Sequence, residues 1–388
     1  SVSDYLSLGV TAKKETIYKG VNKIGPGEFA VYDLTYKTFK IKKWYKFKIK
    51  KIKTRNFQDA VNYTLEKIKQ SVNLWTVSDV PICFLLSGGF DSSVLASIYN
   101  KSSSEKINTF SLGFRNKKYE KWNEISIANS LVKKINSNHK NIFLNANNLN
   151  SDLDKMILSL GEPYGGGLPS WYIFKEISKK SKVAISGTGG DELFGNYNKN
   201  YNMKNFFNKK SNFFNKNVFK EGYFFNRNYK ATDDWKSEYL NFKFKKNKLV
   251  NEYFSRVKKY KFKNLQKQIS FLDIDTQLSN EFLYVTDKFS MAHSLEVRTP
   301  YLDHELVESI YGLAEKYRAS SQVYKPLLRE IGKKYLTKDY YSFTKHGFSL
   351  PLSLWMRGKL RQRVLGSIGK SNLKKIGIVN SKFYEDYV

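Results

Sequence analysis

Short apolar runs alternate with amphipathic stretches between residues 80 and 187. Four apolar runs bounded by polar or glycine-rich residues predict β-strands: "ICFLLS" (82–87), "INTFSLGF" (107–114), "KNIFL" (140–144) and "KVAISG" (182–187). Helical spacing predicts helices near residues 91–100, 122–136, 151–160 and 169–180. This alternation predicts an α/β fold, in which a parallel sheet carries helices on both faces.

The flanking regions differ from this pattern. Residues 1–50 contain short strand-like pieces around "IGPGEFAVYDL", with a turn at 25–27. Residues 196–265 are rich in Asn, Lys, Phe and Tyr, and their weak periodicity fits either an aromatic helical insert, which we favour, or a mobile segment. Beyond residue 270 the pattern is helical, as in "DHELVESIYGLAEKY" (303–317).

Composition narrows the class of protein. A chain of 388 residues predicts one large or two modest domains. The formal charge of +32 suggests nucleic acid, but only 10 of the 67 basic residues are arginine, the better bidentate reader of phosphates and bases. We interpret the charge as compositional drift that still helps to attract anions.

Cysteine and histidine usage excludes several kinds of site. The single cysteine, Cys83, cannot form an intramolecular disulfide or a Cys-rich zinc site, and its apolar surroundings predict a core position. The four histidines show no metal-ligand spacing. No apolar run is long enough to span a membrane and the polar start is no secretory signal, so we expect a cytoplasmic protein without a membrane partner.

The string "LLSGGFDSS" (85–93) follows the first predicted strand and opens a helix. Glycines there allow a phosphate to approach the backbone, and a helix N-terminus presents N–H groups to an anion. Asp91 repels phosphate unless a Mg²⁺ ion lies between them. The alternative is a serine-capped helix after a glycine turn. The string lacks the lysine of a Walker A loop.

A second string, "VAISGTGGDELFGNY" (183–197), repeats the design of strand, glycine-rich turn and acidic pair. If both strands lie in one parallel sheet, Asp91 and Asp191 emerge at the same edge and can share a metal. Two unrelated acidic turns are the alternative.

At these residues the chain resembles the synthetase domain of glutamine-dependent asparagine synthetases, in the pyrophosphatase-loop ATP superfamily. The resemblance implies an adenine nucleotide alpha hydrolase-like, HUP-type fold. It spans most of the chain and rests on strings that come in the family's order: "LLSGGFDSS" (85–93), "TFSLGF" (109–114), "SGTGGDELFGNY" (186–197), "DKFSMAHSLEVRTPYLDHELVE" (287–308) and "YKPLLRE" (324–330).

The resemblance implies that ATP is cleaved between its α and β phosphates, that AMP is transferred to a carboxylate, and that ammonia then displaces AMP to give an amide. ATP and Mg²⁺ are the implied cofactors. By analogy the residues that bind pyrophosphate, metal and nucleotide are Ser87, Gly88, Gly89, Asp91, Ser92 and Ser93 in the first turn, Asp191 as second metal ligand, and Leu85, Ser111, Gly113, Gly187, Gly189 and Gly190 around the nucleotide.

Four further positions follow from the resemblance. Lys325 matches the family's catalytic lysine, which can stabilise charge on the α-phosphate. Glu162, in "LGEPYGGGLPS", matches an acidic residue beside the acyl centre that can orient or deprotonate ammonia, although helix capping is an equal alternative. Asp287 and Arg298 are expected to give structural support only, with a helix ending before Pro300.

Two departures from the family concern the ends of the chain. Family members begin with an N-terminal-nucleophile glutaminase domain whose first residue is cysteine, whereas residues 1–50 resemble only the exit segment of that domain. Residues 51–388 then form the synthetase domain, whose end is expected to be truncated as well. Ammonia must come from a missing glutaminase domain, a partner chain or solution. A homodimer is a further expectation.

Three functions stay open. The leading one is an AMP-forming amide ligase acting on aspartate. The second keeps the adenylation but uses another carboxylate, as an amidotransferase or an amide-closing cyclase does. The third is a basic RNA-binding or tRNA-modifying protein; thiolating members of the superfamily need paired cysteines, and this chain has one.

Overall fold

The structure is a computed structural model that describes residues 2–11, 14–195, 232–246, 248–259, 265–318, 323–342 and 350–387. In chain order the strands are β1 Glu28–Asp33, β2 Thr38–Lys43, β3 Ile82–Leu85, β4 Asn108–Gly113, β5 Asn138–Phe143, β6 Val183–Ile185 and β7 Glu296–Arg298. The first two form an antiparallel pair, and the other five form a parallel sheet of order β5-β4-β3-β6-β7.

Helices make up most of the remaining described chain. The α-helices are α1 Val2–Leu8, α2 Phe57–Trp75, α3 Phe90–Ser102, α4 Ile125–Ile135, α5 Ala146–Leu160, α6 Leu168–Ile177, α7 Gly190–Phe194, α8 Asp233–Tyr239, α9 Lys248–Lys259, α10 Leu265–Asp273, α11 Leu283–Met291, α12 His304–Gly312, α13 Glu315–Arg318, α14 Pro326–Gly332, α15 Asp339–Ser342, α16 Leu352–Arg357, α17 Arg361–Ile368, α18 Lys370–Ile376 and α19 Ser381–Tyr387. Two 3₁₀ segments cover Lys117–Trp122 and Pro300–Leu302, and a π-helical segment, Ile274–Phe282, joins α10 to α11.

The parallel sheet lies between two apolar cores. Side chains alternate along a strand, so Phe84 of β3 packs with α2, α3, α4 and α14 on one face, while Cys83 packs with α5, α6 and α11 on the other. The two faces are therefore both covered by helices, as the alternating pattern predicts. Burial raises the pKa of the Cys83 thiol to about 11, which agrees with a core position rather than a reactive one.

The four predicted strands are confirmed as β3, β4, β5 and β6, each within a few residues of its expected bounds. Local signals also fix the helix ends. The Asn56 side chain caps α2 by accepting from the Asp59 N–H, and Gly161 ends α5 in the left-handed region. The Glu28 N–H donates to the Gly25 carbonyl, which closes the expected turn before β1.

Helices lie where the C-terminal pattern predicts them, and one further strand lies among them. The helix expected to end before Pro300 ends at Met291. The stretch 303–317 is helical, with a break between Gly312 and Glu315. Residues 296–298, which the sequence did not single out as a strand, form β7 and extend the sheet beside β6. Pairing with β6 stabilises this short strand although its local pattern does not indicate one.

The aromatic stretch 196–265 is described only in part. Residues 232–246 and 248–259 contain helices α8 and α9, whereas residues 196–231, 247 and 260–264 lie outside the described residues, so the choice between a helical insert and a mobile segment stays a prediction. Across the described ranges, no helix has both the length and the apolar character that crossing a bilayer requires.

Candidate functional site

The strand order changes direction at the centre of the sheet. From β3 the chain moves outward through β4 and β5, and it then returns to place β6 on the other side of β3. Ligands of open α/β sheets bind beyond the carboxyl ends of the strands at such a switch point. The turns after β3 and β6 carry the two glycine-rich strings and leave the sheet side by side.

The first turn is built on hydrogen bonds between its own residues. The Ser87 N–H donates to the Ser92 hydroxyl at 3.1 Å, and the two serine hydroxyls lie 3.0 Å apart. Gly88 has a φ of +77°, and a side chain there would begin 2.8 Å from the Glu124 carbonyl oxygen. Gly89 is the N-cap of α3 and contributes no side-chain cap, so the helix presents its first backbone N–H groups beside the serines.

The second turn packs directly on the first. A β-carbon added at Gly187 would lie 2.7 Å from the Ser92 nitrogen, and one added at Gly190 would lie 2.5 Å from Asp91 Oδ1. Gly189 adopts a φ of +92° beside Leu302. Here the glycines allow the two turns to approach each other, a role separate from the approach of a phosphate.

Lys325 lies between the two acidic side chains. Its ammonium nitrogen is 2.5 Å from Asp91 Oδ2 and 2.6 Å from Asp191 Oδ1, and its side chain is 1% exposed. The backbone of Lys325 is left-handed, with φ of 49° and ψ of 51°, directly before Pro326 at the start of α14. A non-glycine residue held in this region is strained, which is common at functional sites. The two carboxylates thus lie together at this edge of the sheet, where both contact the Lys325 ammonium.

The donor chemistry of this site suits Mg²⁺ together with a nucleotide. Mg²⁺ binds through one or two carboxylates and completes its octahedron with substrate phosphates and water. Asp91 and Asp191 provide two carboxylates at one point. Within the described ranges, no group of three or more acidic, histidine or cysteine side chains could hold a metal by itself. A metal held by Asp91 and Asp191 would take its remaining ligands from phosphate oxygens or water.

Neighbouring residues hold the first turn in place. Tyr301, fully buried after β7, donates to the Asp91 carbonyl at 3.1 Å. Burial, followed by the nearby Asp91 charge, raises the pKa of Tyr301 well above its usual value, so the hydroxyl stays a donor. The buried Ser111 hydroxyl donates to the Leu86 carbonyl and ties the end of β4 to the turn. Sequence reasoning missed Tyr301, although it lies inside one of the quoted strings.

Two of the residues expected around a nucleotide lie at the ends of adjacent strands. Leu85 is the last residue of β3 and Gly113 is the last residue of β4. A side chain at Gly113 would begin 2.3 Å from Asn123 Oδ1, so the glycine is required for packing there as well.

Ser93 was expected in the first turn, whereas Arg298 and Asp287 were expected to give structural support only. Ser93 is fully buried, and its hydroxyl lies 2.9 Å from that of Tyr340 in the core. Arg298 contacts the Trp75 and Val77 carbonyls and pairs with Glu296. Asp287 is exposed on α11. The contacts of Arg298 are those of a residue that fastens β7 to the end of α2.

Glu162 follows α5 and contacts the N-terminal segment, a name used here for Thr11 and residues 14–27 before β1. One carboxylate oxygen accepts from the Thr11 hydroxyl, and the other lies 2.8 Å from the Lys23 ammonium. Its side chain is 8% exposed, and neither partner was singled out from the sequence.

Helix α7 begins at Gly190, carries Asp191 and is only five residues long. Side chains from α10 and α13 donate hydrogen bonds to its backbone carbonyls. Arg318 donates to the Leu193 carbonyl at 2.9 Å, and the Ser270 hydroxyl donates to the Glu192 carbonyl at 2.8 Å. These bonds satisfy carbonyls at the end of the helix that have no partner within it. The position of Asp191 therefore depends on α10 and α13.

Gly190→Ala is expected to displace Asp91 and to destabilise the fold by about 1–3 kcal/mol, because the added methyl group overlaps the Asp91 side chain. Gly165→Ala is the matched control, since a β-carbon there meets nothing within 4 Å. Urea denaturation of both variants measures the difference. Equal midpoints for the two variants would contradict the packing described here.

Comparison with known proteins identifies the family of this chain. Residues 64–388 match the family model described as asparagine synthase. The chain is 25% identical over 421 aligned positions to asparagine synthetase [glutamine-hydrolyzing] 1 of Bacillus subtilis, covering 100% of this chain and 64% of that protein. It is 24% identical to asparagine synthetase 3 of the same organism, covering 87% and 56%.

A shorter match, to amidase chry2 of Gibberella zeae, is 29% identical over 26% of this chain and 16% of that protein. The chain thus spans less than two thirds of the length of these curated relatives. The family model nevertheless covers the sheet, both glycine-rich turns and Lys325, and the chain therefore belongs to the asparagine synthase family.

Proposed function

We propose that this chain is an ATP-dependent, AMP-forming amide ligase that converts the side-chain carboxylate of aspartate to the amide of asparagine. A carboxylate oxygen bonds to the α-phosphorus of ATP, the bond from that phosphorus to the bridging oxygen breaks, and pyrophosphate leaves. The nitrogen of ammonia then bonds to the acyl carbon, the carbon–oxygen bond to AMP breaks, and one proton leaves the nitrogen. Catalysis of such steps is mainly positioning and charge stabilisation.

The observation that carries the proposal is the meeting of Asp91, Asp191 and Lys325 at the switch point of the sheet. Each comes from a different part of the chain, and the lysine is almost fully buried in a strained backbone conformation. A protein gains little stability from a buried charge cluster of this kind, since desolvation offsets the attraction. The cluster of Asp91, Asp191 and Lys325 therefore supports a role in handling phosphates more strongly than it supports a structural role.

The residues of the two glycine-rich turns and of the adjoining strand ends are proposed to have three roles. Ser87, Gly88, Gly89, Ser92 and the first N–H groups of α3 bind the pyrophosphate portion. Asp91 and Asp191 would hold Mg²⁺, which neutralises phosphate charge when bound. The nucleotide is bordered by the remaining residues at this edge of the sheet, which are Leu85, Ser111, Gly113, Gly187, Gly189 and Gly190. The buried hydroxyl of Ser93 is left out of this assignment.

Glu162 is proposed to act in the second step, by accepting the proton that ammonia loses. Its carboxylate is ion-paired and little exposed, so it is held in one place. Ammonia is the nitrogen donor in this proposal, and a glutaminase domain or chain would supply it, as the names of the relatives indicate for them.

Exchange of labelled pyrophosphate into ATP tests the proposal, with Mg²⁺ and one carboxylic acid from a panel in each reaction. Aspartate-dependent exchange supports it. Exchange that requires a different acid would mean that this acid, and not aspartate, is the substrate. Release of ADP instead of AMP would contradict the adenylation step.

Asp91→Asn is expected to lower the rate of pyrophosphate exchange by about 10- to 100-fold, because the amide oxygen carries no charge for the metal. Asp154→Asn is the matched control, since that carboxylate is 73% exposed on α5. Raising the Mg²⁺ concentration should restore part of the lost rate. An Asp91→Asn variant with the exchange rate of the control would show that Asp91 holds no metal.

A further inference from the structure

The N-terminal segment contacts Glu162, the proposed proton acceptor. The Thr11 hydroxyl donates to one oxygen of the Glu162 carboxylate and accepts from the Lys23 ammonium at 3.1 Å. The same ammonium lies 2.8 Å from the other carboxylate oxygen. The three side chains form a closed triangle in which each contacts the other two, although Glu162 lies 151 residues after Thr11 in the sequence.

The backbone beside Glu162 is held by the same segment. The Tyr18 hydroxyl donates to the Gly161 carbonyl at 2.9 Å. On the other side the Tyr284 hydroxyl of α11 donates to the Leu160 carbonyl, and the Lys23 ammonium lies 5.3 Å from the centre of the Tyr284 ring. The turn after α5 is thus fixed from the N-terminal segment and from α11 together.

This arrangement differs from an ordinary surface ion pair. Lys14, in the same segment, pairs with Glu28 at 2.5 Å, but the lysine side chain is 51% exposed and its partner lies in the next strand. Exposed ion pairs of this kind contribute little to the free energy of folding. In the triangle the Lys23 side chain is 31% exposed, but Thr11 is 4% exposed, the Glu162 side chain is 8% exposed, and a separate donor engages each carboxylate oxygen. Two donors on two oxygens define the orientation of the carboxylate.

We propose that Lys23 and Thr11 are positioning residues for Glu162, and that the N-terminal segment thereby controls the amide-forming step. The inference rests on the proposed function, in which Glu162 accepts a proton from ammonia. It assigns no role in adenylation to either residue, because the contacts described for them are with Glu162, with each other and with the Tyr284 ring. If the Glu162 carboxylate is misoriented, it accepts the proton more slowly, and the amide-forming step slows as a result.

The test compares Lys23→Met, Lys23→Arg and the control Lys14→Met in two assays. Pyrophosphate exchange reports adenylation, and amide formation at increasing ammonium concentration reports the second step. We expect Lys23→Met to keep its exchange rate within about twofold while amide formation falls by about tenfold or more. Lys23→Arg should recover most of the lost rate because it restores a charged donor, and Lys14→Met should match the parent protein in both assays.

Equal losses in the two assays, or no loss in either, would overturn the positioning role. A third measurement does not depend on activity: carbodiimide labelling of Glu162, read by peptide mass spectrometry. Labelling should rise about fivefold or more in Lys23→Met as the ion pair is lost, and not in Lys14→Met. Unchanged labelling would overturn the inference. If the parent protein shows this protection of Glu162 but no pyrophosphate exchange with any acid, the proposed function is rejected while the contact between Lys23 and Glu162 stands.

Discussion

Lys325→Met is expected to lower the rate of amide formation by about 100-fold or more while ATP binding changes only a few-fold. Methionine keeps the length of the side chain but removes its charge. The ammonium is buried between Asp91 and Asp191, at the point where charge develops on the phosphates in the proposed reaction. A preorganised cation there stabilises the transition state more than it stabilises bound nucleotide.

The same variant should bind Mn²⁺ more tightly than the parent protein when nucleotide is absent, because the lysine no longer competes for the two carboxylates. Equilibrium dialysis or electron paramagnetic resonance measures this affinity. Lys236→Met is the matched control, since that lysine is also buried and pairs with Asp233 at 2.9 Å on α8. Equal Mn²⁺ affinities in Lys325→Met and the parent would rule out competition between lysine and metal.

Arg318→Met is expected to destabilise the protein by about 3–5 kcal/mol, because it removes one partner of a buried ion pair. The Arg318 side chain is 0% exposed and pairs with Glu315 at 2.6 Å. Its guanidinium also donates to the Leu193 carbonyl and the Ser270 hydroxyl, and it lies 4.8 Å from the centre of the Tyr311 ring. Methionine fills part of the volume and satisfies none of these groups.

Urea denaturation measures the loss, with Arg256→Met as the matched control. Arg256 pairs with Glu252 and Asp275 but is 28% exposed, so its replacement is expected to cost about 1 kcal/mol or less. Similar losses in the two variants would mean that Arg318 does not hold α7. Because α7 carries Asp191, any folded Arg318→Met protein should also show weakened metal binding.

The parts of the site that sequence predicts are those with a local signal. Apolar runs ending in glycine-rich turns located β3 and β6, and the geometry of parallel sheets then brought Asp91 and Asp191 to one edge. The order of the strands and the position of the turns are sufficient to predict that Asp91 and Asp191 lie close together.

The parts that sequence does not predict depend on contacts between distant segments. Composition gives no reason to place Lys325 between two carboxylates, since any one of many lysines is a surface residue by default. The short strand β7 is stabilised by pairing with β6 rather than by its own three residues. The Lys23 contact with Glu162 likewise joins regions whose local patterns are unrelated.

The close packing of the two turns also restricts how this protein can diverge. The absence of a side chain at Gly190 provides the space that the Asp91 carboxylate occupies, so neither residue can be enlarged without moving the other. Across homologues, positions 91 and 190 should therefore covary or remain fixed together. Directed evolution at this edge should succeed only through paired substitutions.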